Sequence, residues 1–429
     1  MDVLVIAGTF VFLMLLGVPI GTSLGISAVI TIYTFDLGIS MLGVNFSSGI
    51  ASFPLLAIPF FVLAGVLLQR AGLAAIIARF FELVVGKSTG GLAMVAVLTC
   101  MFWGAMSGSG PATTAAVGLI LLTPMIRHGY DKHFAGAAIA NASDLSIIIP
   151  PSIAFIIYGN ITSVSVSALF VAGIIPGLLT GLATLLVAYI ISRKRGYRGL
   201  SKRGSLKEIL QGLRDSIWAI LAPIIILGGI YAGVFTPTEA AVVAVFYSLF
   251  IALFVYKTVS LSDLLDILVE ASITSSVIMF IVVFAGIFTW VASVTGIIDL
   301  AANFIVQVSP NKVVMIILVN FLLLGLGMIL DAISISYLIM PILIPVLAAF
   351  DIDPLWYGVI FISALAIGQA TPPVGVNLFT AANLIKGDID SLAKQAIWFV
   401  LADVVILIIL SFFPILSLYL PISAGLYSP

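Results

Sequence analysis

Charged side chains are scarce in this sequence. Only 8% of its 429 residues are Asp, Glu, Lys or Arg, whereas 62% are hydrophobic. A water-soluble domain normally carries about a quarter charged residues, so this chain lacks the polar side chains that cover a water-facing surface. Its net charge of −1 also shows no excess of basic residues, which a nucleic-acid-binding protein would carry. The composition therefore predicts a protein surrounded by membrane lipid, with no nucleic-acid partner.

Cysteine is nearly absent as well. Cys100 is the single cysteine, which excludes an intrachain disulfide and a cysteine metal cluster. The sequence also lacks a P-loop, an HExxH pair and a GxSxG motif. These absences argue against an enzyme or an ATP-driven pump, and no cofactor is expected. The amino terminus has no basic region, so residues 3–20 are interpreted as a first span and not as a cleaved signal peptide.

Long apolar runs separated by loops predict membrane-spanning helices rather than the alternating strands of a barrel. We expect spans near residues 3–20, 54–70, 134–160, 167–192, 216–233, 238–257, 271–293, 355–381 and 395–418, and a shorter apolar segment near 21–35. Two further regions, 90–126 and 312–349, are each long enough to cross twice and are interrupted near the midpoint. Each region predicts either two spans or one re-entrant hairpin.

Basic residues concentrate in one loop. Eight of the 17 Lys and Arg residues lie between Arg193 and Arg214, which the positive-inside rule places in the cytoplasm. When the spans are followed from this loop, both ends of region 90–126 lie on the cytoplasmic side. Both ends of region 312–349 lie on the opposite, outer side. Lys312 alone falls on the wrong side. Both termini are predicted to be periplasmic.

The two halves of the chain resemble each other at a shift of 222 residues. This shift places Pro150-Pro151 on Pro372-Pro373 and Ser109 on Asp331. The identities are few, but the orientation traced from the basic residues puts five membrane crossings between the two repeat units. Because five is an odd number, the second unit is inverted relative to the first. Inverted repeats are the common architecture of secondary transporters. The predicted fold class is an all-α polytopic membrane protein whose inverted-topology repeats each contain a re-entrant helical hairpin and a Pro-Pro-broken helix.

The first interruption is the run Ser107-Gly108-Ser109-Gly110-Pro111. Gly and Pro break a helix here, and at membrane depth such a break is tolerated only inside protein or beside a polar cavity. Hydroxyl and carbonyl oxygens suit an alkali cation, and Pro111 at a helix start would direct the positive end of the helix dipole toward an anion. The alternative is a plain loop whose small residues let two spans pack closely.

The first Pro-Pro pair predicts a second break, in the middle of span 134–160, because each proline removes a helical N–H donor. Asp144 lies in the same apolar stretch, where an ionisable group is costly and often functional, so it is a candidate ion relay. A plain proline kink, with Asp144 paired to a neighbour, is the alternative.

The second half carries matching features. The run Gly327 to Ser336 interrupts region 312–349, and the run Gly368 to Asn377 contains the second Pro-Pro pair. Asp331 stands at the hairpin midpoint with no Lys or Arg near membrane depth. It is a candidate to bind a cation, carry a proton or accept hydrogen bonds from substrate hydroxyls. A buried protonated carboxyl with a structural role is the alternative.

Two other acidic residues are weaker candidates. Glu239 follows Thr236 by three residues, which is typical of a capping box at a helix start. Asp403 in the last span is a possible relay residue, although pairing with a local neighbour is the favoured interpretation.

Taken together, these motifs resemble the large membrane subunit of a TRAP (tripartite ATP-independent periplasmic) transporter. The segments that carry the resemblance are SGSGPATTAA at 107–116, IIPPS at 148–152, YG at 158–159, LFVAGIIPG at 169–177, TPTEAA at 236–241 and TPPVGVNL at 371–378. The resemblance extends from position 104 to 379, and each motif alone would be a weak signal.

The resemblance implies sodium-driven uptake of an organic acid across the bacterial inner membrane, by an elevator motion of the hairpin domain. The substrate class would be a sialic or sugar acid or a C4-dicarboxylate. The implied partners are a periplasmic substrate-binding protein and a small four-helix membrane subunit, expected here as a separate chain. The alternatives are a binding-protein-independent carboxylate carrier coupled to Na⁺ or H⁺, and a non-transporting scaffold subunit.

The resemblance also implies site residues. The first sodium site would use Ser107, Gly108 and Ser109 with carbonyl groups near Ile149 and Pro151, and the second would use Gly327, Gly368, Thr371 and Val374. Substrate would lie between the hairpin tips, near Ser109, Ser152, Ser165 and Asp331.

The expected organisation has six parts. These are scaffold helices in 1–70; a first repeat in 71–192 with hairpin 90–126 and broken helix 134–160; a basic cytoplasmic loop in 193–215; scaffold helices and the second-repeat entry in 216–293; a second repeat in 294–381 with hairpin 312–349 and broken helix 355–381; and a C-terminal helix in 382–429.

Overall fold

A computed structural model describes residues 2–200 and 204–428. Within these ranges the chain forms α-helices joined by short connections, and it contains no β-strand. The helices of the first half are α1 (Asp2–Leu15), α2 (Ile20–Thr34), α3 (Ser40–Ile50), α4 (Ala57–Arg70), α5 (Leu73–Val85), α6 (Gly91–Ser107), α7 (Gly110–Arg127), α8 (Lys132–Ala142), α9 (Leu145–Ile148), α10 (Ile153–Thr162), α11 (Val166–Ala172) and α12 (Ile174–Lys194).

The second half continues the helical pattern. Its helices are α13 (Leu206–Tyr231), α14 (Pro237–Phe250), α15 (Asp263–Val294), α16 (Ile297–Val308), α17 (Lys312–Gly327), α18 (Ala332–Ala349), α19 (Pro354–Gln369), α20 (Val376–Ile385), α21 (Ile389–Phe412) and α22 (Ile415–Ser423). Eight helical segments of the described chain are long and apolar enough to cross a membrane. The all-α polytopic prediction is confirmed.

The repeat is visible in the helix boundaries. Under the shift of 222 residues α7 coincides with α18 at both ends, and α8 and α19 begin at equivalent residues. Each of those two starts has an aspartate cap: Asp131 accepts a hydrogen bond from the N–H of Phe134 at 2.8 Å, and Asp353 accepts one from Trp356 at 2.8 Å. Such caps satisfy N–H groups that have no partner within the helix.

Both broken helices are interrupted at their Pro-Pro pairs. Pro150 and Pro151 separate α9 from α10, and Pro372 and Pro373 separate α19 from α20. Both Pro-Pro peptide bonds are cis. The first half has an additional interruption at Asp144, between α8 and α9, which the second half lacks.

Two predicted segments differ from the structure. The segment 193–215 is not a continuous loop, because α13 begins at Leu206 with a capping box formed by Ser205 and Glu208. The segment 382–429 is not one helix: it contains the end of α20, then α21 and α22. Helix α21 ends just before Pro414, since proline lacks the N–H that would continue it.

The helices form two groups. The outer group consists of α1–α4 and α13–α15, in which α4 packs on α14 and α15 packs on α2 and α4. The inner body consists of α6–α10, α12 and α17–α21. Within it each hairpin contacts the opposite half: α7 packs on α20, and α18 packs on α10. The two repeats are therefore interlocked, which brings both hairpin tips to the two broken helices.

Two glycines set the closest helix crossing of the second half. A Cβ atom built on Gly368 in α19 would lie 2.6 Å from the Cα atom of Gly327 in α17. Real side chains do not approach backbone atoms this closely, so only glycine fits. The first half has a similar crossing, where a Cβ atom on Gly104 would lie 2.7 Å from the Cα atom of Ser146.

We predict that Gly368→Ala destabilises the protein, because its methyl group would push α19 away from α17. Overpacking of this kind costs about 1–3 kcal/mol. The measurement is the thermal unfolding midpoint of the purified protein. Gly325→Ala is the matched control on α17, because nothing lies within 4 Å of a Cβ atom there. Equal midpoints for the two variants would contradict the close crossing.

Candidate functional site

A cavity of about 520 Å³ lies between the inner body and the outer group. Its inner wall contains both hairpin tips, Ser107–Ala112 and Asp331–Ile333, together with Gln369 beside the second break. Its outer wall is the C-terminal half of α4 and the N-terminal half of α15. The cavity therefore lies where the two repeats meet.

The first hairpin tip is held by its own polar groups. The hydroxyl groups of Ser107 and Thr113 lie 2.9 Å apart, and the N–H of Ser109 donates to Oγ of Ser107 at 3.3 Å. Gly108 has a φ of 62°, a left-handed conformation that glycine adopts without steric cost. A Cβ atom there would lie 3.2 Å from the carbonyl oxygen of Pro151.

This tip meets the break of its own half. The structure brings Gly108 of the first predicted sodium set next to the carbonyl group of Pro151, while the Ser107 hydroxyl donates to the carbonyl of Ser109 at 3.2 Å. Ile149 belongs to the same break, and its side chain packs against Gly177 of α12. The tip thus places hydroxyl and carbonyl oxygens, the ligand type that hard cations prefer, beside an unwound segment.

The second tip is organised by Asp331, which caps α18. Its Oδ1 atom accepts from the N–H groups of Ile333 and Ser334, both at 3.0 Å, and its Oδ2 atom accepts from the Ser334 hydroxyl at 2.6 Å. Asp331 is half-buried and lines the cavity. It is therefore both a helix cap and part of the cavity wall, a dual position that the sequence did not indicate.

The second predicted sodium set lies around the crossing of α17 and α19. Gly327 touches Gly368, and the hydroxyl of Thr371 donates to the carbonyl of Ile367 at 2.6 Å. The N–H of Gly375 donates to the carbonyl oxygen of Met328 at 2.9 Å, which fixes the break to the hairpin tip. Val374 is half-buried within this break.

Two predicted substrate residues lie outside the cavity wall. Ser165 caps α11 by accepting a hydrogen bond from the N–H of Ala168 at 3.2 Å. Ser152 is fully buried at the start of α10, and its hydroxyl has no partner among the described residues. Only Ser109 and Asp331 of the predicted substrate set line the cavity.

Two polar cavity residues, Glu270 and Gln369, were not selected from the sequence. Glu270 on α15 lines the cavity and pairs with Arg70 on α4 at 2.6 Å. Gln369 presents a buried carbonyl oxygen with no partner among the described residues. The signal for the ion pair was weak, since its residues are 200 positions apart and each looks like an ordinary charge at the end of a span.

The two buried aspartates have distant partners. The side-chain N–H of Asn377 donates to Oδ1 of Asp144 at 2.7 Å. Thr184 on α12 donates to Oδ1 of Asp403 on α21 at 3.2 Å, although the two residues are 219 positions apart. Asp403 is therefore paired with a neighbour, which lies on the adjacent helix α12 and not near it in the sequence.

Residues 7–416 match the protein family described as the tripartite ATP-independent periplasmic transporter, DctM component. The chain belongs to the DctM family. Similar proteins include the C4-dicarboxylate TRAP transporter large permease protein DctM of Pseudomonas aeruginosa, 38% identical over 93% of this chain and 93% of the relative. The sialic acid TRAP transporter large permease protein SiaM of Vibrio cholerae is 35% identical over 95% of this chain and 96% of the relative.

A third DctM-family relative is longer than this chain. The isethionate TRAP transporter permease protein DctMQ of Oleidesulfovibrio alaskensis is 36% identical over 97% of this chain, which spans 66% of that relative's length. Among solved structures, the YdaH transporter of Alcanivorax borkumensis has a similar fold, with a TM-score of 0.59 over 89% of this chain and 88% of that one at 15% identity.

Membership of the DctM family has two consequences. The chain is a membrane-embedded transporter permease and not an enzyme. The serines and carboxylates at its hairpin tips therefore belong to a permease, and not to a catalytic centre.

The double role of Asp331 predicts different results for two substitutions. Asp331→Ala removes the cap of α18 and should destabilise the protein by about 0.5–2 kcal/mol, measured as a lower thermal midpoint. Asp331→Asn keeps a side-chain acceptor for the same N–H groups and should unfold near the wild-type midpoint. Equal destabilisation by both substitutions would show that the carboxylate charge, and not the cap, holds the tip.

Proposed function

We propose that this chain is the translocating subunit of a sodium-coupled TRAP transporter that imports an organic acid across the inner membrane. A small membrane subunit and a periplasmic binding protein complete the transporter. The observation that carries the proposal is the cavity of about 520 Å³ into which both hairpin tips project. The relatives support it, since their names assign C4-dicarboxylate, sialic acid and isethionate, which are all organic anions.

The electrostatics of the cavity favour an anion accompanied by cations. Among the described lining residues there is no Lys or Arg; Glu270 is paired with Arg70, so Asp331 is the acidic side chain that is left to face the cavity. An organic anion brought here alone would meet like charge. Sodium ions bound at the two helix breaks would make the electrostatic potential in the cavity positive. Binding of an anionic substrate would therefore require sodium.

The two helix N-termini at the tips are not equivalent. The N-terminus of α18 is already capped by the carboxylate of Asp331, whereas Ser109 at the start of α7 makes no side-chain cap. Free N–H groups and the positive end of the helix dipole bind anions. The carboxylate of the substrate therefore binds at the start of α7, and its hydroxyl groups face Asp331. This arrangement suits a hydroxylated acid.

The conformation fits one stage of an elevator cycle. With the basic loop after α12 in the cytoplasm, the cavity lies in the cytoplasmic half, beside the C-terminal half of α4. On the opposite half, Ser52 of the outer group donates to Asn160, whose side-chain N–H lies 3.5 Å from the Tyr337 hydroxyl, and Thr289 donates to the Tyr337 carbonyl at 2.9 Å. These contacts join the inner body to the outer group on that half, which supports an inward-facing arrangement.

Uptake into proteoliposomes tests the proposal. The complex with the small subunit should accumulate a binding-protein-delivered acid only with an inward sodium gradient. Ser107→Ala and Thr371→Ala should each raise the sodium concentration for half-maximal uptake by about tenfold, which corresponds to about 1.4 kcal/mol. Ser248→Ala on α14 is the control, because Ser248 makes the same type of local hydrogen bond away from the cavity. Equal uptake without sodium, or without any binding protein, would refute the proposal.

The elevator step has its own test. Ser52→Cys combined with Asn160→Cys should form a cross-link that holds the inner body inward and stops uptake, and reduction should restore it. The native Cys100 is buried, so it does not compete for the reagent. Full uptake by the cross-linked protein would contradict a sliding inner body. Asn160→Cys alone, treated with the same reagent, is the control.

A further inference from the structure

A groove of about 390 Å³ lies between the C-terminal part of α12 and the N-terminal part of α21. Both helices are long and apolar enough to cross a membrane, and they pack on each other. Helix α12 runs into the basic loop that the positive-inside rule places in the cytoplasm, so the groove lies at the cytoplasmic end of both helices. No described residue lines both this groove and the cavity between the hairpin tips.

The wall of the groove is apolar. It consists of Val187, Ile190 and Ile191 of α12 and Trp398 of α21. Ile190 is 41% exposed and Trp398 is 60% exposed, so on membrane-spanning helices these side chains face lipid. From Val187 to Lys194 the helix rises about 10 Å, which is about a third of the hydrocarbon core of a bilayer. The wall is therefore long enough to follow the part of an acyl chain that lies next to its headgroup.

The cytoplasmic rim of the groove is cationic, since Lys194 and Arg195 line it. The guanidinium group of Arg195 is held from two directions. It donates to the side-chain oxygen of Gln395 on α21, and it lies 5.2 Å from the centroid of the Phe134 ring. Its other N–H groups and the ammonium group of Lys194 have no partner among the residues that the structure describes. The rim thus presents several charged N–H donors, which suit phosphate oxygens.

No acidic side chain neutralises this rim from within the groove, because none of its described lining residues is Asp or Glu. The nearest acids along α21 are Asp388 and Asp390, at the start of that helix. Asp388 accepts a hydrogen bond from the N–H of Ser391 at 2.9 Å and lies 3.1 Å from Nε2 of His133. The charge of the groove is consequently complementary to an anion.

Basic residues in the last turn of a helix also offset the negative end of its dipole, and that role needs no ligand. Arg193 and Lys194 both lie in the last turn of α12, so both serve it. Of these two residues, only Lys194 lines the groove. Substitution of each in turn therefore separates the role at the helix end from binding in the groove.

We propose that this groove binds one anionic phospholipid of the cytoplasmic leaflet, with its phosphate at Lys194 and Arg195 and an acyl chain along the apolar wall. Basic pockets between membrane-spanning helices on the cytoplasmic side bind anionic lipid headgroups in this way. A free phosphate would contact only the rim, and the wall alone would accept any lipid. The bound lipid bridges α12 and α21, and its binding needs neither sodium nor a transported acid.

The first test compares an anionic with a zwitterionic lipid on the purified full-length chain in detergent. Phosphatidylglycerol should raise the thermal unfolding midpoint, because a ligand that binds the folded state stabilises it. Phosphatidylcholine and inorganic phosphate should leave the midpoint unchanged. Equal stabilisation by the two lipids would overturn the proposal, and so would stabilisation by inorganic phosphate alone.

Substitutions then assign the effect to the groove. Lys194→Gln should weaken the apparent affinity for phosphatidylglycerol about fivefold, because one cation–phosphate interaction is lost. Arg193→Gln removes the same charge one residue away, outside the groove, and should leave the affinity unchanged. Lys194 has no side-chain partner among the described residues, so its substitution should not disturb folding. Equal weakening by both variants, or by neither, would contradict the assigned site.

The apolar wall has a separate test by native mass spectrometry. The wild-type chain should retain one phosphatidylglycerol molecule, and Trp398→Ala should lose it without any change of charge. Leu401→Ala is the matched control, because Leu401 is also an exposed apolar residue of α21, at 48%, and does not line the groove. Equal retention of the lipid by these two variants would overturn the proposed binding of an acyl chain.

Discussion

Backbone groups freed by a helix break cannot remain unpaired inside a bilayer, and the inner body is arranged around this constraint. At the first break the tip glycine Gly108 lies against the carbonyl of Pro151. At the second break the N–H of Gly375 donates to the carbonyl of Met328. Each tip therefore lies against an unwound segment, and both tips also line one cavity. The same geometry that protects the breaks brings both tips to the cavity that we propose as the transport site.

The inverted repeat supplies a nearly symmetric frame, and the functional differences lie where the halves depart from each other. Ser109 and Asp331 occupy equivalent cap positions, but only the aspartate satisfies its helix N-terminus. One helix N-terminus consequently has no side-chain cap, while the other carries a carboxylate. The buried acids Asp144 and Asp403 are a second departure, with no counterpart in the other half.

Much of the fold was predictable because its signals are local. Gly, Pro and hydroxyl residues mark the breaks, and the capping box of Thr236 and Glu239 is confirmed. Long-range pairs were not predictable, because they depend on how helices pack. The Arg70–Glu270 ion pair is the main example. The amphipathic helices α5 and α16 were also missed, since they are too short to resemble spans.

The central claim is that sodium ions and an organic acid bind together between the two hairpin tips. A structure of the complete transporter, determined in sodium with a transported acid, tests it most directly. The acid's carboxylate is expected at the start of α7, its far end near Asp331, and sodium ions at the two helix breaks. An acid bound elsewhere, with the space between the tips empty in the same sample, would contradict the proposed site.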